Sequence, residues 1–368
     1  MLLSACSSPP ATPGPPWLDG AQILVMGEGV TNEDCRAAIC QHNENTDLVQ
    51  WKGAIYLVHR TAKSQVLGPN SALHVYRSTA AGAHFQDLAI IPAPTDRALR
   101  DPHFYTVGTD LYLKALTRLP VTSERDSNVD TIAVAFKTSD GATWTSAGTL
   151  GPTGFSFWRI RALDGTFYSA AYQDGDQKVA LFTSTDGLIW TRGADIYTIS
   201  EDTPLETELT FLPGTKTLLA LVRMDGTDAE LLGDMGRLRT KVCLAQPPYS
   251  SFTCPSEISG ERFDGPLTFF VKGRLFMVAR KHLQPSLRKR TALFELSGDL
   301  ENGALTVQEW GELPSAGDTS YAGGVPLDDH RVLLSWYASD LVRDENWAIA
   351  LLGETDIWTA TLDVDKLK

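Results

Sequence analysis

The stretch DGPLTFFVKGRLFMVAR, residues 264–280, contains the pattern that decides the fold. A polar beginning is followed by an apolar strand, a glycine turn at Gly273 and a second apolar strand. The pattern recurs in residues 47–60, 100–118, 157–172, 206–223 and 318–337. Its apolar runs, such as Leu275-Phe276-Met277-Val278, are rich in β-formers and bounded by Gly, Asp and Pro. Each copy is therefore predicted to be two β-strands joined by a tight turn.

The turns of the six copies are evenly spaced along the chain. They fall 49 to 59 residues apart, at Gly53, Gly108, Gly165, Gly214, Gly273 and Asp328-Asp329. About 55 residues fit one four-stranded propeller blade together with its loops. We therefore predict an all-β fold, a six-bladed β-propeller that spans residues 21–368.

A closed ring of blades needs a closing pair of strands. An apolar run at residues 22–26 precedes the first copy, and another at residues 357–362 ends the sixth. We expect these N- and C-terminal strands to pair within one blade and close the ring. The alternative is a stacked solenoid with free ends, but the terminal capping repeats of such a fold are not evident in the sequence.

The amino-acid composition restricts the kinds of molecule that the protein is expected to bind. The chain has 368 residues, with 32 Lys and Arg against 45 Asp and Glu and a net charge of -13. Binding to a nucleic-acid backbone needs clustered cations, so this balance argues against a nucleic-acid partner. A small neutral or anionic ligand is compatible with it, because such a ligand can occupy a local basic pocket. The sequence contains no run of about 18 apolar residues, so no transmembrane helix is predicted.

The N-terminus has features of an export signal. Leu3-Ser4-Ala5-Cys6 has the spacing of a bacterial lipoprotein cleavage site, and a Ser, Pro and Gly-rich tether follows it. We expect residues 1–20 to be a signal remnant and flexible tether, with lipid attached at Cys6. The protein would then be an exported monomer, anchored only by lipid to the periplasmic or cell-surface face of a bacterial membrane. The alternative is a disordered N-terminal segment.

The other four cysteines form two local pairs, Cys35 with Cys40 and Cys243 with Cys254. Local pairs in an exported protein indicate disulfides. Metal binding is the alternative, but the two pairs are far apart in the sequence and lack Cys-x-x-Cys spacing. The histidines also lack the spacing of a zinc motif, so we expect no metal site and no cofactor.

Two segments, residues 138–144 and 184–190, share the template Ser/Thr-x-Asp-Gly-x-x-Trp. A weaker copy over residues 78–85 has Ala80 at the aspartate position. These segments resemble the Asp-box, or BNR repeat, of the sialidase superfamily, where it is a structural hairpin far from the chemistry. Residues 42–362 as a whole are similar to an uncharacterised group of bacterial sialidase-like lipoproteins. The resemblance implies a six-bladed propeller.

The resemblance extends to residues of the sialidase active face. Sialidases have a Glu followed by an Arg in the fourth blade. Here Glu206 or Glu208 resembles that Glu, and Arg223 resembles that Arg. Tyr321 is similar to the nucleophilic Tyr in the sixth blade of sialidases. Arg280 resembles an Arg in their fifth blade. The Arg-Ile-Pro motif of the first sialidase blade has no match in the first copy here. That departure puts sialic acid as the substrate in doubt.

The string Arg100-Asp101-Pro102 resembles a motif of five-bladed propeller glycosidases, which include arabinanases and invertases. Those enzymes use one acidic residue from each of three blades. Asp47, Asp101 and Glu206 or Glu208 match such a set. Six copies of the repeat argue against five blades, so this likeness is an analogy.

The inner strands of a propeller converge on its central channel, so candidates from five copies are expected to meet at one mouth. A sialidase-like reaction would use Tyr321 as nucleophile, Glu206 or Glu208 as its base and Asp101 or Asp47 as acid. The two arginines from the fourth and fifth blades would hold a substrate carboxylate and lower the pKa of Tyr321. The candidate substrate-binding residues are Arg100, Arg223, Arg280, Asp47 and Asp318.

The resemblance therefore implies a sialidase-like glycoside hydrolase that acts on an exposed glycan, neutral or anionic. The alternative is a non-catalytic surface propeller that binds glycan or protein. Structural roles compete at several positions, because Asp101 and Asp318 could cap turns before strands and Tyr321 could be a core residue.

Overall fold

The protein is described by a computed structural model. The structure describes residues 14–66, 70–119, 130–173, 177–199, 202–225 and 238–368. Within these ranges the chain forms six β-sheets and one four-residue α-helix, α1 (Trp347–Ala350). Cys6, the predicted lipid attachment site, lies outside the described residues. No helix of the described part is long and apolar enough to span a membrane.

Each sheet is one blade. Blades 1 and 2 contain β2 (His42–Trp51), β3 (Ala54–Ala62), β4 (Ala72–Ser78), β5 (Gln86–Pro92), β6 (Ala98–Val107), β7 (Asp110–Arg118), β8 (Ile132–Thr138) and β9 (Thr145–Leu150). Blades 3 and 4 contain β10 (Ser156–Phe157), β11 (Arg161–Leu163), β12 (Thr166–Tyr172), β13 (Lys178–Ser184), β14 (Thr191–Thr198), β15 (Thr203–Phe211), β16 (Leu218–Asp225), β17 (Arg239–Ala245) and β18 (Thr253–Ser259). Blades 5 and 6 contain β19 (Asp264–Val271), β20 (Arg274–Leu283), β21 (Arg288–Asp299), β22 (Ala304–Glu312), β23 (Thr319–Pro326), β24 (Arg331–Ala338), β25 (Asp356–Asp363) and β1 (Leu18–Val25).

The sixth blade confirms the predicted closure. Its strand order is β1-β25-β24-β23. The N-terminal strand, β1, is therefore the outermost strand of this blade, and it pairs with the C-terminal strand, β25. Gln22 is opposite Thr359, and Ile23 is opposite Trp358. The chain ends are thereby hydrogen-bonded to each other, and the fold is the predicted six-bladed propeller rather than a solenoid.

Hydrophobic clusters lie between neighbouring blades. Val58 and Leu73 of blade 1 pack with Leu113 of blade 2, and the other described blade pairs have equivalent clusters. Blade strands are therefore apolar on both faces, which explains why the strand after each turn reads as a continuous apolar run. The predicted turn glycines, such as Gly53 and Gly273, have positive φ at the first hairpin of their blades.

The inner strands share one irregularity near their beginnings. β2, β6, β15, β19 and β23 each contain one residue more than the strand they pair with, which is the mark of a β-bulge. Residues with positive φ lie within four of these bulges: Asn45, Asp101, Gly265 and Tyr321. Because the inner strands all begin at the same mouth of the channel, the bulges direct a ring of side chains toward that mouth.

The two hairpins with the Ser/Thr-x-Asp-Gly template join the third and fourth strands of blades 2 and 3. In each, one carboxylate oxygen of the aspartate accepts hydrogen bonds from two backbone N–H groups, at 2.8 Å each for Asp140 and at 2.9 and 2.8 Å for Asp186. These bonds hold the pKa of both aspartates below the usual value. The hairpins therefore stabilise turns, and they contribute nothing to the channel mouth.

Both predicted disulfides are present, Cys35–Cys40 and Cys243–Cys254. The second joins β17 to β18, across the edge of blade 4.

Removing the Cys243–Cys254 bond is expected to cost about 3 kcal/mol of unfolding free energy, because the open loop gains entropy in the unfolded chain. The double variant Cys243→Ala/Cys254→Ala should show this loss in guanidinium melts under non-oxidising conditions. Cys35→Ala/Cys40→Ala is the matched control: its shorter loop, with a separation of 5 against 11 residues, should cost about 2 kcal/mol. An unchanged melting midpoint in the first variant would contradict the prediction.

Candidate active site

A tyrosine and a glutamate from two different blades meet at the channel mouth. The hydroxyl of Tyr321, from blade 6, donates a hydrogen bond of 2.5 Å to Oε1 of Glu206, from blade 4. Oε2 of Glu206 accepts from Arg223 at 2.8 Å and from the backbone N–H of Gly265 at 2.9 Å. Arg223 also donates to the Tyr321 oxygen at 3.2 Å. The phenol thus has a proton acceptor and a cation in direct contact.

The Tyr321 ring is held in place from several sides. The Arg280 guanidinium lies 4.9 Å from the ring centroid, and Trp158 meets the ring edge-on with centroids 6.0 Å apart. Gly265 lies beneath the ring, where an added Cβ would be 2.9 Å from Cγ of Tyr321. Glycine at this position therefore permits a close approach that any side chain would prevent.

Burial raises the pKa of Tyr321 well above its usual value, and the neighbouring Glu206 carboxylate raises it further. Arg223 and Arg280 act in the opposite direction but are outweighed. The two arginines thus lower this pKa as expected, but the cost of burying a phenolate exceeds the attraction of the cations, and the pKa of Tyr321 stays raised. Tyr321 is protonated at neutral pH, and its proton is directed at Glu206.

Both arginines already have carboxylate partners inside the protein. Arg223 bonds both oxygens of Asp225, at 2.7 and 2.8 Å, and lies 3.1 Å from Asp264. Arg280 donates to Asp318 at 2.9 Å and to the hydroxyl of Tyr337 at 2.8 Å. The pKa values of Arg223 and Arg280 are accordingly raised. Their positive charges are offset by these acids, so neither guanidinium is available as a whole to a substrate carboxylate.

A cavity of about 170 Å³ opens beside Tyr321 and Glu206. It is lined by Asn45, Gln65, Arg100, Asp101, Arg118, Tyr172, Leu205, Glu206 and Tyr321. Four of the predicted site residues therefore share one cavity: Arg100, Asp101, Glu206 and Tyr321. The sequence analysis missed the rest, and Asn45 lies only two residues before the candidate Asp47.

The predicted acid, Asp101, is fixed by its neighbours. Its carboxylate accepts a hydrogen bond from the side-chain amide of Asn45. Its backbone carbonyl accepts from Lys114 at 2.9 Å, and the same ammonium donates to the carbonyl of Phe157 at 2.7 Å. Burial lowers the pKa of Lys114 to about 7. Lys114 thus joins the bulge of blade 2 to blade 3 and holds Asp101 at the cavity wall.

Arg100 differs from the arginines of blades 4 and 5. Within the described residues, its guanidinium makes no hydrogen bond and no ion pair. Burial lowers its pKa to about 10, and the neighbouring cations Arg60 and Arg118 lower it further, against the weaker attraction of Glu44. The cavity therefore contains a cation whose charge is not offset by a bonded carboxylate.

Three of the predicted acidic residues lie away from the cavity. Glu208 is fully buried further along β15, where it binds Arg161 and the Thr268 hydroxyl. Asp47 accepts from Arg159 at 2.6 Å and from the backbone of blade 2. Asp318 lies behind Arg280, so it touches the site only through that guanidinium. All three carboxylates hold cations of the channel.

One group of side chains could hold a metal ion. Ligand atoms of His42, Glu44 and Asp318 lie within 4.8 Å of one another, in a fully buried position. The sequence expectation of no metal site rested on zinc-motif spacing and stays a prediction.

No protein-family model and no curated protein sequence matches the chain. Solved structures resemble it over nearly its whole length. A protein of unknown function from Dyadobacter fermentans has a TM-score of 0.65 at 15% identity, covering 94% of this chain and 99% of that one. The NanB sialidase from Streptococcus pneumoniae gives 0.66 at 9% identity, covering 92% and 70%. The α-L-arabinanase of Penicillium chrysogenum, complexed with arabinobiose, gives 0.62 at 14% identity, covering 95% and 100%. At these identities the likeness shows the propeller fold alone.

Proposed function

We propose that the protein is a glycoside hydrolase with Tyr321 as its nucleophile and Glu206 as the base that activates it. The observation that carries this proposal is the 2.5 Å hydrogen bond between the two side chains at the edge of a cavity. A buried tyrosine needs a partner, but a structural role would not require that partner to be a carboxylate with a cation beside it. The sialidases and the arabinanase among the similar structures support the proposal.

The first step forms a bond between the phenol oxygen and the anomeric carbon. As that bond forms, Glu206 takes the phenol proton, and Arg223 stabilises the negative charge developing on the oxygen. The glycosidic bond breaks, and Asp101 gives its proton to the leaving oxygen. In the second step, Asp101 takes a proton from water and the water oxygen attacks the anomeric carbon. The bond between that carbon and the tyrosine oxygen breaks, and the tyrosine recovers its proton from Glu206.

The raised pKa of Tyr321 suits this sequence of events. Because the phenol stays protonated until substrate arrives, no buried phenolate has to be stabilised in the free protein. The anion develops only as the new bond forms, when Arg223 can stabilise it most.

Arg100 supports a carboxylate-bearing sugar as the substrate. A guanidinium binds a carboxylate through two parallel N–H donors, and such charge-assisted bonds are the strong ones. Gln65 lies on the same wall of the cavity and could donate from its side-chain amide. The carboxylate would therefore be bound by blades 1 and 2, rather than by Arg223 and Arg280 of blades 4 and 5.

The test of the proposed function is a hydrolysis screen. Matched aryl glycosides should be compared, α- and β-linked, with and without a ring carboxylate, together with an aryl sialoside. We expect release of the aryl group from at least one substrate by the wild-type protein. If none is cleaved while the same sugars raise the melting temperature, the protein is a glycan-binding module.

Replacing Arg100 with glutamine should lower kcat/KM for the carboxylate-bearing glycoside by about 100-fold, because a charge-assisted bond of roughly 2–3 kcal/mol is lost. The matched neutral glycoside should change by less than about threefold. Arg192→Gln is the control, since Arg192 lies on the exposed outer strand of blade 3 and, among the described residues, pairs only with Asp195. Equal losses on the charged and neutral substrates would contradict the assignment of Arg100.

We also propose that the protein is exported and carries lipid at Cys6. The two disulfides support export, because such bonds persist mainly in oxidising compartments. A surface location would bring the channel mouth into contact with extracellular glycans.

A further inference from the structure

Three buried atoms converge on one point behind the candidate site. Nε2 of His42 lies 3.6 Å from Oε2 of Glu44 and 3.6 Å from Oδ2 of Asp318. All three side chains are fully buried. None of the three atoms has a hydrogen-bond partner. Leaving one such buried atom unpaired costs about 1–3 kcal/mol, so three together require an occupant.

The three atoms are all electron-pair donors. Nδ1 of His42 lies 2.8 Å from the carbonyl oxygen of Gly353 and must donate its proton there, so that Nε2 of the neutral ring carries a lone pair. The other oxygen of Glu44 binds Arg60. The other oxygen of Asp318 accepts from Arg280 at 2.9 Å, and from two further donors. Each side chain therefore offers one free acceptor and is oriented by bonds at its remaining atoms, as metal ligands usually are.

A water molecule does not satisfy this arrangement while His42 is neutral. Water can donate two hydrogen bonds, and three acceptors face the point. A cation satisfies all three. With two sides of 3.6 Å and a third no longer than 4.8 Å, the point equidistant from the three atoms lies about 2.0–2.4 Å from each. That range includes the zinc–nitrogen and zinc–oxygen distances of about 2.0–2.2 Å.

The ligand set also selects the ion. One imidazole with two carboxylate oxygens suits a first-row divalent metal, whereas calcium prefers six or more oxygen ligands. Arg60 and Arg280 offset the two carboxylate charges, so coordination geometry rather than net charge must hold the ion. This requirement favours zinc, which can bind three protein ligands with a water molecule as the fourth ligand of a tetrahedral site.

We propose that His42, Glu44 and Asp318 bind a structural zinc ion that closes blade 1 against blade 6. The ion would fix Asp318, and Asp318 in turn fixes Arg280 against the ring of Tyr321. The ligands are thus positioning residues for the channel mouth and do not touch the cavity. The proposal does not depend on the glycosidase function.

The test measures metal content and thermal stability. Tag-free protein should be produced in zinc-supplemented and in zinc-depleted medium, because the buried ion would exchange slowly with a chelator. Elemental mass spectrometry should find a single zinc ion per chain in the first preparation. The zinc-depleted protein should melt roughly 5 °C lower, and zinc supplied during refolding with intact disulfides should restore the difference.

Two histidine variants make the test specific. His42→Gln should lower the zinc content at least about tenfold. His74→Gln is the matched control: His74 is equally buried in blade 1 and has no hydrogen-bonded ring nitrogen, but only one carboxylate, Asp87, lies near it. The control should retain its zinc.

Wild-type protein without zinc or another first-row metal, and with an unchanged melting temperature when zinc is supplied, would overturn the proposal. A water held by a protonated His42 would then fill the position. If His42→Gln does not fold, the comparison of the two wild-type preparations still decides the question.

Discussion

Tyr321→Phe is expected to lower kcat by at least about a thousandfold on any glycoside that the wild-type protein cleaves. The change removes the atom that forms the bond to the anomeric carbon, and Glu206 alone does not replace it. The fold should remain, because the ring keeps its contacts with Arg280, Trp158 and Gly265. Glu206 also keeps its bonds to Arg223 and to the backbone of Gly265. Steady-state kinetics and a thermal melt on the same preparation measure both effects.

The control for this variant lies in the same cavity. Tyr172 lines the wall beside Tyr321 but has no place in the proposed reaction. Tyr172→Phe should therefore keep kcat within about tenfold of the wild type. If Tyr321→Phe retains activity similar to that of Tyr172→Phe, the nucleophile is a carboxylate, and the pair of Glu206 and Asp101 becomes the candidate.

The fold could be predicted because every blade has the same packing requirement. Each blade buries both faces against its neighbours, so each repeat must contain the same apolar strand pair and a turn such as that at Gly273. The closing pair followed from two strands left over at the chain ends. The disulfides followed from local spacing. All these features depend on residues that are close together in the sequence or on the regular spacing of the repeats.

The candidate site could be predicted only in part, because bulges determine it. Glu206 and Glu208 are two residues apart on one strand, and their spacing does not say which faces the cavity. In the structure, the bulge before Thr207 brings Glu206 to the mouth and leaves Glu208 in the channel. The sequence analysis had no signal for these bulges, because the residues with positive φ within them include Asn45 and Tyr321, which are not glycines.

Charge balance was the other property that the sequence could not supply. The repeat placed Arg223 and Arg280 near the mouth, but their internal partners Asp225 and Asp318 became clear only from the contacts. The sequence predicted that the two arginines lower the pKa of Tyr321, but it did not show how deeply the phenol is buried, and burial decides the net direction. Arg100 differs from these two arginines. It was predicted to bind the ligand, and in the structure it lines the cavity and has no carboxylate bonded to it among the described residues.

The close contact beneath Tyr321 leads to the second large expected effect. Gly265→Ala would place a methyl group 2.9 Å from Cγ of the tyrosine ring, at a position with a φ of 58°. The ring has to move, because the new group belongs to the backbone of blade 5 and cannot turn away. A displacement of about 1 Å at a reacting atom typically costs about 100-fold in rate. We therefore expect kcat to fall by about that factor, while the N–H of residue 265 still donates to Glu206.

Gly273→Ala separates this steric effect from backbone strain. Gly273 is in the same blade, has a φ of 73°, and has nothing within 4 Å of its added Cβ. Both variants carry the left-handed strain of about 1 kcal/mol, and Gly265→Ala adds the cost of displacing the tyrosine ring, so its melting temperature should fall at least as far as that of Gly273→Ala. Only Gly265→Ala should lose activity, because only there does the methyl group reach the tyrosine. Equal activity in the two variants would show that the position of the Tyr321 ring does not limit the reaction, and it would count against Tyr321 as the nucleophile.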